Sequence, residues 1–242
     1  MGPELDGEGR LATRDLAPGD VRRQEPGGMT VIAIDGTAAS GKGTLARRLA
    51  ASYGFDHLDT GLLYRAVGVA VLRAGGNPDD PIAGLAAVLA LDLAGLGDPE
   101  LRGDAAAQAA SRVSAIPGVR TALLDFQRRF AERPPGAVLD GRDIGTVICP
   151  DAPAKVFVTA TLETRAARRW NELRGRGHKA IYDEVLDDLR QRDERDRRRA
   201  VAPLVPASDA FLLDTSQLTA DQVFDQALAF VSRRIGPPRD AV

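Results

Sequence analysis

Nine residues, Gly36-Thr37-Ala38-Ala39-Ser40-Gly41-Lys42-Gly43-Thr44, limit this chain more than any other stretch. They follow the apolar run Val31-Ile32-Ala33-Ile34-Asp35 and precede Leu45-Ala46-Arg47-Arg48-Leu49-Ala50. A strand, a glycine-bounded loop and a helix start in that order make a phosphate cradle. The glycines let backbone N–H groups and the positive end of the helix dipole close on an anion. Lys42 adds a mobile point charge. An ordinary strand-to-helix turn is the alternative reading of the same letters. The common form of the motif places Ser or Thr directly after the lysine, where its hydroxyl meets Mg²⁺. Here Gly43 takes that place and the hydroxyl comes one residue later, as Thr44. A metal would then be held mainly by phosphates and water.

The 242 residues suffice for one sizeable α/β domain with inserted lobes. A net charge of −2, with basic and acidic residues almost balanced, argues against general nucleic-acid binding and leaves room only for a local basic pocket. Cys149 is the single cysteine, which rules out an internal disulfide, and two histidines far apart offer no metal-ligand spacing. A reducing, cytoplasmic setting is expected. No stretch approaches the roughly 20 apolar residues of a membrane span. Residues 1–28 are polar, lack periodicity and end in Pro26-Gly27-Gly28. They read as a flexible tail, with Met29 the expected functional start.

Along the rest of the chain, strand and helix patterns alternate. A helix is expected over 42–53, stopped by Gly54, then a short strand over 55–58. The helix-start signal Asp59-Thr60-Gly61 follows, and Gly75-Gly76 ends that helix. Residues 78–135 read as helical and alanine-rich, broken at Gly95, Gly97, Pro99 and Gly103 and resumed over 117–130. Buried parallel strands are expected at 137–139 and 155–158. Helices over 163–173 and 183–199, a fifth strand over 211–213 and a final helix with a Thr219/Gln222 capping box complete the pattern. This is an α/β fold in three layers, a five-stranded parallel sheet covered by helices on both faces. Its ligands should gather at the carboxyl ends of the strands.

Three clusters fall at those ends. The first is Asp59-Thr60-Gly61-Leu62-Leu63-Tyr64-Arg65, and a capped surface helix would explain it equally. The second is Asp140-Gly141-Arg142-Asp143-Ile144-Gly145-Thr146, which a salt-bridged turn would also explain. The third, within residues 190–204, holds Arg192, Asp196 and Arg199 four and three residues apart. On a helix they share one face. Solvated ion pairs are the plain reading; a cleft that binds phosphate through guanidinium and sugar hydroxyls through carboxylate is the other.

Taken together and in order, these motifs resemble the bacterial cytidylate kinases from about Met29 to the last helix. The resemblance implies a P-loop kinase domain over 29–242, with a monophosphate-binding lobe within 61–135 and a lid within 163–199. It also implies a monomer that uses ATP and Mg²⁺ and phosphorylates CMP and dCMP, with no nucleic-acid or membrane partner. Carried over, residues 36–44 would hold the ATP phosphates, with Lys42 bridging donor and transferred groups. Arg65, Arg142 and Arg199 would grip the CMP phosphate, Thr60 and Tyr64 would line its pocket, and Arg192 and Asp196 would hold the ribose. Ser111, Arg120 and Asp143 would read the cytosine edge. Arg165, Arg168 and Arg169 would form a lid that brings charge over the triphosphate, with Lys42, Arg142, Arg168 and Arg169 as the catalytic set.

Two features depart from the pattern. Residues 86–110 have little strand character, so the lobe is expected to be abbreviated. Ala39 replaces a glycine, which requires a negative φ there. A kinase of UMP or AMP, a nucleotide-dependent switch and a silent binding module remain as rivals. No Asn/Thr-Lys-x-Asp guanine signature supports the switch. If residues 1–28 carry no part of the fold, a chain starting at Met29 keeps its melting temperature and kinetics. A fall of more than a few degrees, about 1 kcal/mol or more at this size, would show that the tail packs on the domain.

Overall fold

The apolar run before the cradle becomes β1 (Thr30–Gly36), the middle strand of the sheet. In the computed structural model, which describes residues 30–238, five strands order as β2-β3-β1-β4-β5. The others are β2 (Asp56–Asp59), β3 (Gly136–Gly141), β4 (Ala154–Thr159) and β5 (Phe211–Asp214), and every pair is parallel. The alternation of β1 explains its continuous hydrophobicity. Val31 and Ala33 face one core with Leu63, Val67 and Leu139, while Ile32 and Ile34 face the other with Leu45, Leu49 and Val156. A parallel sheet buried on both faces has no polar side to write into its strands. The expected tail, residues 1–28, and its boundary at Met29 lie outside the described residues.

One face carries α1 (Lys42–Tyr53) and α8 (Ala220–Ile235). Gly54, left-handed at φ 65, stops α1, and the Thr219/Gln222 capping box opens α8. The other face carries α2 (Thr60–Arg73), α3 (Pro81–Leu89) and α5 (Pro117–Ala131), with α4 (Asp104–Val113) packed on α2. Two 3₁₀ turns, Leu93–Gly97 and Pro99–Arg102, join α3 to α4, and residues 61–135 contain no strand. The little strand character expected over residues 86–110 is therefore what the structure has. Its helices pack closely: a Cβ on Gly68 of α2 would lie 2.7 Å from Ala109 Cβ on α4.

Past β4, α6 (Leu162–Gly175) and α7 (Tyr182–Arg198) pair over the cradle, burying Ala166, Leu173, Val185 and Leu189 against Ala38. Here two expectations need correction. Arg199 is not on the helix that carries Arg192 and Asp196, because α7 ends at Arg198 and Arg199 turns to φ −54, ψ 134. The chain then reverses through Ala202 (φ 51), and the Leu204 N–H donates to Asp196 O. Arg165 is not a lid cation. It is 3% exposed and forks onto Asp193 of α7, Nη1 to Oδ1 at 3.1 Å and Nη2 to Oδ2 at 2.6 Å. Its Nε donates to Ala160 O and its Nη1 to Ala38 O of the cradle. With four of its five N–H donors committed inside the protein, it fastens α6 and α7 to the loop. Asp193→Ala strands that guanidinium, so we expect a loss of about 3–5 kcal/mol. Calorimetry should show Tm lower by roughly 10 °C, with Asp193→Asn milder; a shift under about 2 °C would contradict this role.

Candidate active site

The carboxyl ends of β1, β2 and β3 open into a cleft of about 540 Å³, a volume suited to a nucleotide-sized ligand. Its floor is the cradle. Gly36 is obligatory, since a Cβ there would sit 2.0 Å from Val158 O, and Gly41 starts α1 from the left-handed region at φ 93. Ala39, expected at negative φ, instead lies at φ 58. That left-handed conformation costs an L residue about 1–2 kcal/mol. Ser40 Oγ donates to Thr37 O across the loop, and Thr37 Oγ1 is buried without a partner. An orphaned hydroxyl in a ring of helix-terminal N–H groups fits a phosphate.

Lys42 projects into the cleft. Burial, then the nearby Arg142, pushes its ammonium down to about 8, with Asp140 and Asp59 opposing. Asp59 is itself held above the usual carboxylate range by burial and by Asp140. Two crowded carboxylates beside an underprotected lysine are a charge pattern that a cation and a phosphate chain would settle. Among the described residues no group of three or more His, Cys, Asp or Glu gathers for a metal. The oxygen donors of Asp59, Asp140 and Thr44 do suit Mg²⁺, which typically takes one or two carboxylates and fills its sphere with phosphates and water. Thr44 Oγ1 presently accepts from Arg47 at 3.3 Å.

The opposite wall is guanidinium-rich. Arg65 and Arg142 line it, Arg65 donating to Leu101 O and Arg142 Nε to Asp196 Oδ2 at 2.8 Å. Arg199 comes from outside α7 yet lines the same wall, with Nε and Nη2 buried and unpartnered. Arg192 Nε is likewise orphaned, and burial followed by Arg142 pushes this guanidinium down to about 9. An arginine keeps its proton, so the tension is relieved by an anion. Tyr64 and Thr60 also line the cleft; Thr60 Oγ1 donates to Asp140 O, which pins the start of α2 to β3.

Arg120 of α5 pairs with Asp143, both buried, and its guanidinium lies 5.6 Å over the Tyr64 ring. Ser111 is placed differently from its expected partners. It sits behind the wall, 2% exposed, while Ala110 and Ser114 beside it reach the cleft. Of the expected lid arginines, Arg169 faces the cleft and pairs with Asp104 and Glu172. Arg168 lies behind the cradle, donating to Thr215 Oγ1 and O and to Ser40 O.

Several residues of the site went unread in the sequence. Asp35 accepts N–H bonds from Ile144 and Gly145 at 2.8 Å each, and burial pushes its carboxyl up to about 7 against those bonds. A carboxylate inside the apolar run was the available signal. Arg102 and Arg176 at the cleft mouth carried none beyond their charge.

The cytidylate kinase family model matches residues 32–233. The chain belongs to that family. The cytidylate kinase of Paramagnetospirillum magneticum (strain ATCC 700264 / AMB-1) is 62% identical over 208 residues, 85% of this chain and 99% of that one. That of Xanthobacter autotrophicus (strain ATCC BAA-1158 / Py2) is 63% identical over 204 residues, 84% and 98% of the two chains. A crystal structure of an uncharacterized protein from Eubacterium ventriosum ATCC 27560 shares the fold, with TM-score 0.52 and 16% identity over 85% of this chain and 100% of that one. Among the described residues no helix is long and apolar enough to cross a membrane.

The lowered Lys42 makes a prediction with two opposite signs. Titrated by calorimetry, tripolyphosphate affinity should fall as pH rises through about 8, with the step absent in Lys42→Arg. A lysine whose pKa is depressed on folding weakens the native state below that pH. Its contribution to stability should therefore improve between about 8 and 10.5, relative to Lys42→Met. A binding step shared by Lys42→Arg would assign the titration elsewhere.

Proposed function

We propose that this cleft transfers the γ-phosphoryl group of ATP to the phosphate of CMP or dCMP, giving ADP and CDP or dCDP, in a cytoplasmic monomer that acts on free nucleotides rather than nucleic acid. The observation that carries this reading is two separate sets of anion-suited donors lining one cleft. The cradle with Lys42 takes the donor, and the orphaned guanidinium donors of Arg192 and Arg199, beside Arg65 and Arg142, take a second phosphorylated ligand.

The chemistry asks little covalent help from the protein. An oxygen of the acceptor phosphate attacks the γ-phosphorus, the bond to the β-phosphate oxygen breaks, and ADP leaves with that electron pair. The acceptor is already anionic, so no general base is needed. Positioning and charge stabilisation do the work. Lys42 follows charge from the β-phosphate to the moving group, and Arg142, at the end of β3, stands between the two sites. Mg²⁺, held by phosphates, water and the oxygens of Asp59, Asp140 and Thr44, would neutralise phosphate charge. Arg169 approaches from the lid side, where closure keeps water from the γ-phosphate; Arg168 would act by holding the cradle through Thr215.

Base choice falls to Asp143 and Arg120. Cytosine presents an amine and adjacent acceptors. A carboxylate has enough lone pairs to keep Arg120 and accept from that amine. Arg192 and Asp196, lining the same cleft, would hold the ribose of a monophosphate gripped by Arg142 and Arg199. In a coupled ADP-release assay with a monophosphate panel, CMP and dCMP should turn over well and UMP and AMP poorly. Asp143→Asn should lower kcat/KM for CMP at least tenfold more than for UMP, because an amide can donate to the uracil carbonyl. Equal losses would remove Asp143 from base reading, and preference for another monophosphate would overturn the assignment.

A further inference from the structure

Ser111 accepts a hydrogen bond that none of the expected ligand contacts explains. Arg195, one turn beyond Arg192 on α7 and partly buried, donates from Nε to Ser111 Oγ at 3.0 Å and from Nη2 to Gln108 Oε1 at 3.0 Å. Gln108 and Ser111 are three residues apart on α4, so the rigid fork of one guanidinium spans one helical turn. The contact continues toward the base-reading pair. Ser114 Oγ donates to Ser111 O, Arg120 Nη1 donates to Ser114 O, and Arg120 pairs with Asp143. A hydrogen-bonded chain thus runs from α7 through α4 to the loop after β3.

We infer that Arg195 is a positioning residue for base recognition: by donating to Ser111 Oγ and Gln108 Oε1 it fixes α4, and with it the Ser114 carbonyl that holds Arg120, against the helix that carries Arg192 and Asp196. Ala107 and Ala110 of α4, with Ser114 at its C-terminal end, line the cleft, so the placement of α4 sets the wall beside the base-reading pair. This rests on the proposed reading of the cleft as a CMP site, and it makes base discrimination depend on a side chain that need not touch the base.

The test is a double-mutant cycle. In the full-length enzyme, Arg195→Ala should raise KM for CMP on the order of tenfold, the effect of one charge-assisted hydrogen bond. KM for ATP and kcat should stay within about twofold, and the preference for CMP over UMP should shrink. Arg195→Lys should restore part of the loss, and it carries the cycle if the alanine variant does not fold. On a Ser111→Ala background, removing Arg195 should cost less than in the wild type, since only the Gln108 bond is then lost. Unchanged KM and base preference, an equal loss on the Ser111→Ala background, or an equal rise in KM for ATP would each overturn the inference. A wild-type enzyme without CMP preference would instead overturn the reading of the cleft, so the two failures are separable.

Discussion

The cleft depends on one buried carboxylate. Asp35 is the last residue of β1 before the cradle, and both its oxygens accept backbone N–H bonds, from Ile144 and Gly145, at 2.8 Å. Those residues begin the single π-helical turn Ile144–Ile148, directly after Arg142 and Asp143. One side chain therefore sets the height of the loop that carries the acceptor-side residues relative to the loop that would carry the donor. In-line transfer tolerates little misplacement. An asparagine there would put an NH2 group where one of those oxygens accepts, and an unsatisfied buried N–H costs about 1–3 kcal/mol. The burial that raises the carboxyl toward 7 is the cost of that precision.

The remaining electrostatics follow from how few anions the wall contains. Asp196, 2% exposed, takes Arg142 directly and sits amid the charges of Arg192 and Arg199, which together hold it below the usual carboxylate range against its own burial. One carboxylate beside three guanidinium groups leaves uncompensated positive charge, and the orphaned nitrogens of Arg192 and Arg199 show where it remains. Crowded like charges in a low-dielectric wall weaken the native state without ligand and strengthen the bound state. Charge in this arrangement favours phosphate binding at the expense of stability.

The sequence carried most of the fold because its signals were local. The two faces of β1, the Gly54 stop, the Thr219/Gln222 box and the little strand character over residues 86–110 all follow from adjacent residues, and all appear in the structure. The cradle was equally legible, apart from Ala39, whose φ is set by loop closure rather than by the residue's own preference. What could not be read was which faces meet. Arg165 and Arg168 have the same spacing to their neighbours as a lid cation would, yet Asp193 and Thr215, far along the chain, turn both inward. Helical spacing grouped Arg199 with Arg192 and Asp196, but Arg199 reaches the wall from the turn that follows α7. Ser111 was singled out by position alone, and its partner Arg195 lay hidden in the run 190–199, where every residue but Gln191 is an arginine or an acid.

The segment 61–135 is held in place by α6 and α7. Arg169 pairs with Asp104, Arg176 donates to Arg102 O, and Arg195 forks onto Gln108 and Ser111. Three arginines from α6, its C-terminal cap and α7 therefore reach the 3₁₀ turn Pro99–Arg102 and α4, while Arg65 reaches Leu101 O from within the cleft. Ion pairs at an exposed edge contribute little singly, but these contacts share two receiving elements and so constrain one relative placement. With no strand among residues 61–135 to stiffen it, this segment takes its geometry from α6 and α7. The positions of α6 and α7 are then coupled to that of α4, which lines the cleft through Ala107 and Ala110.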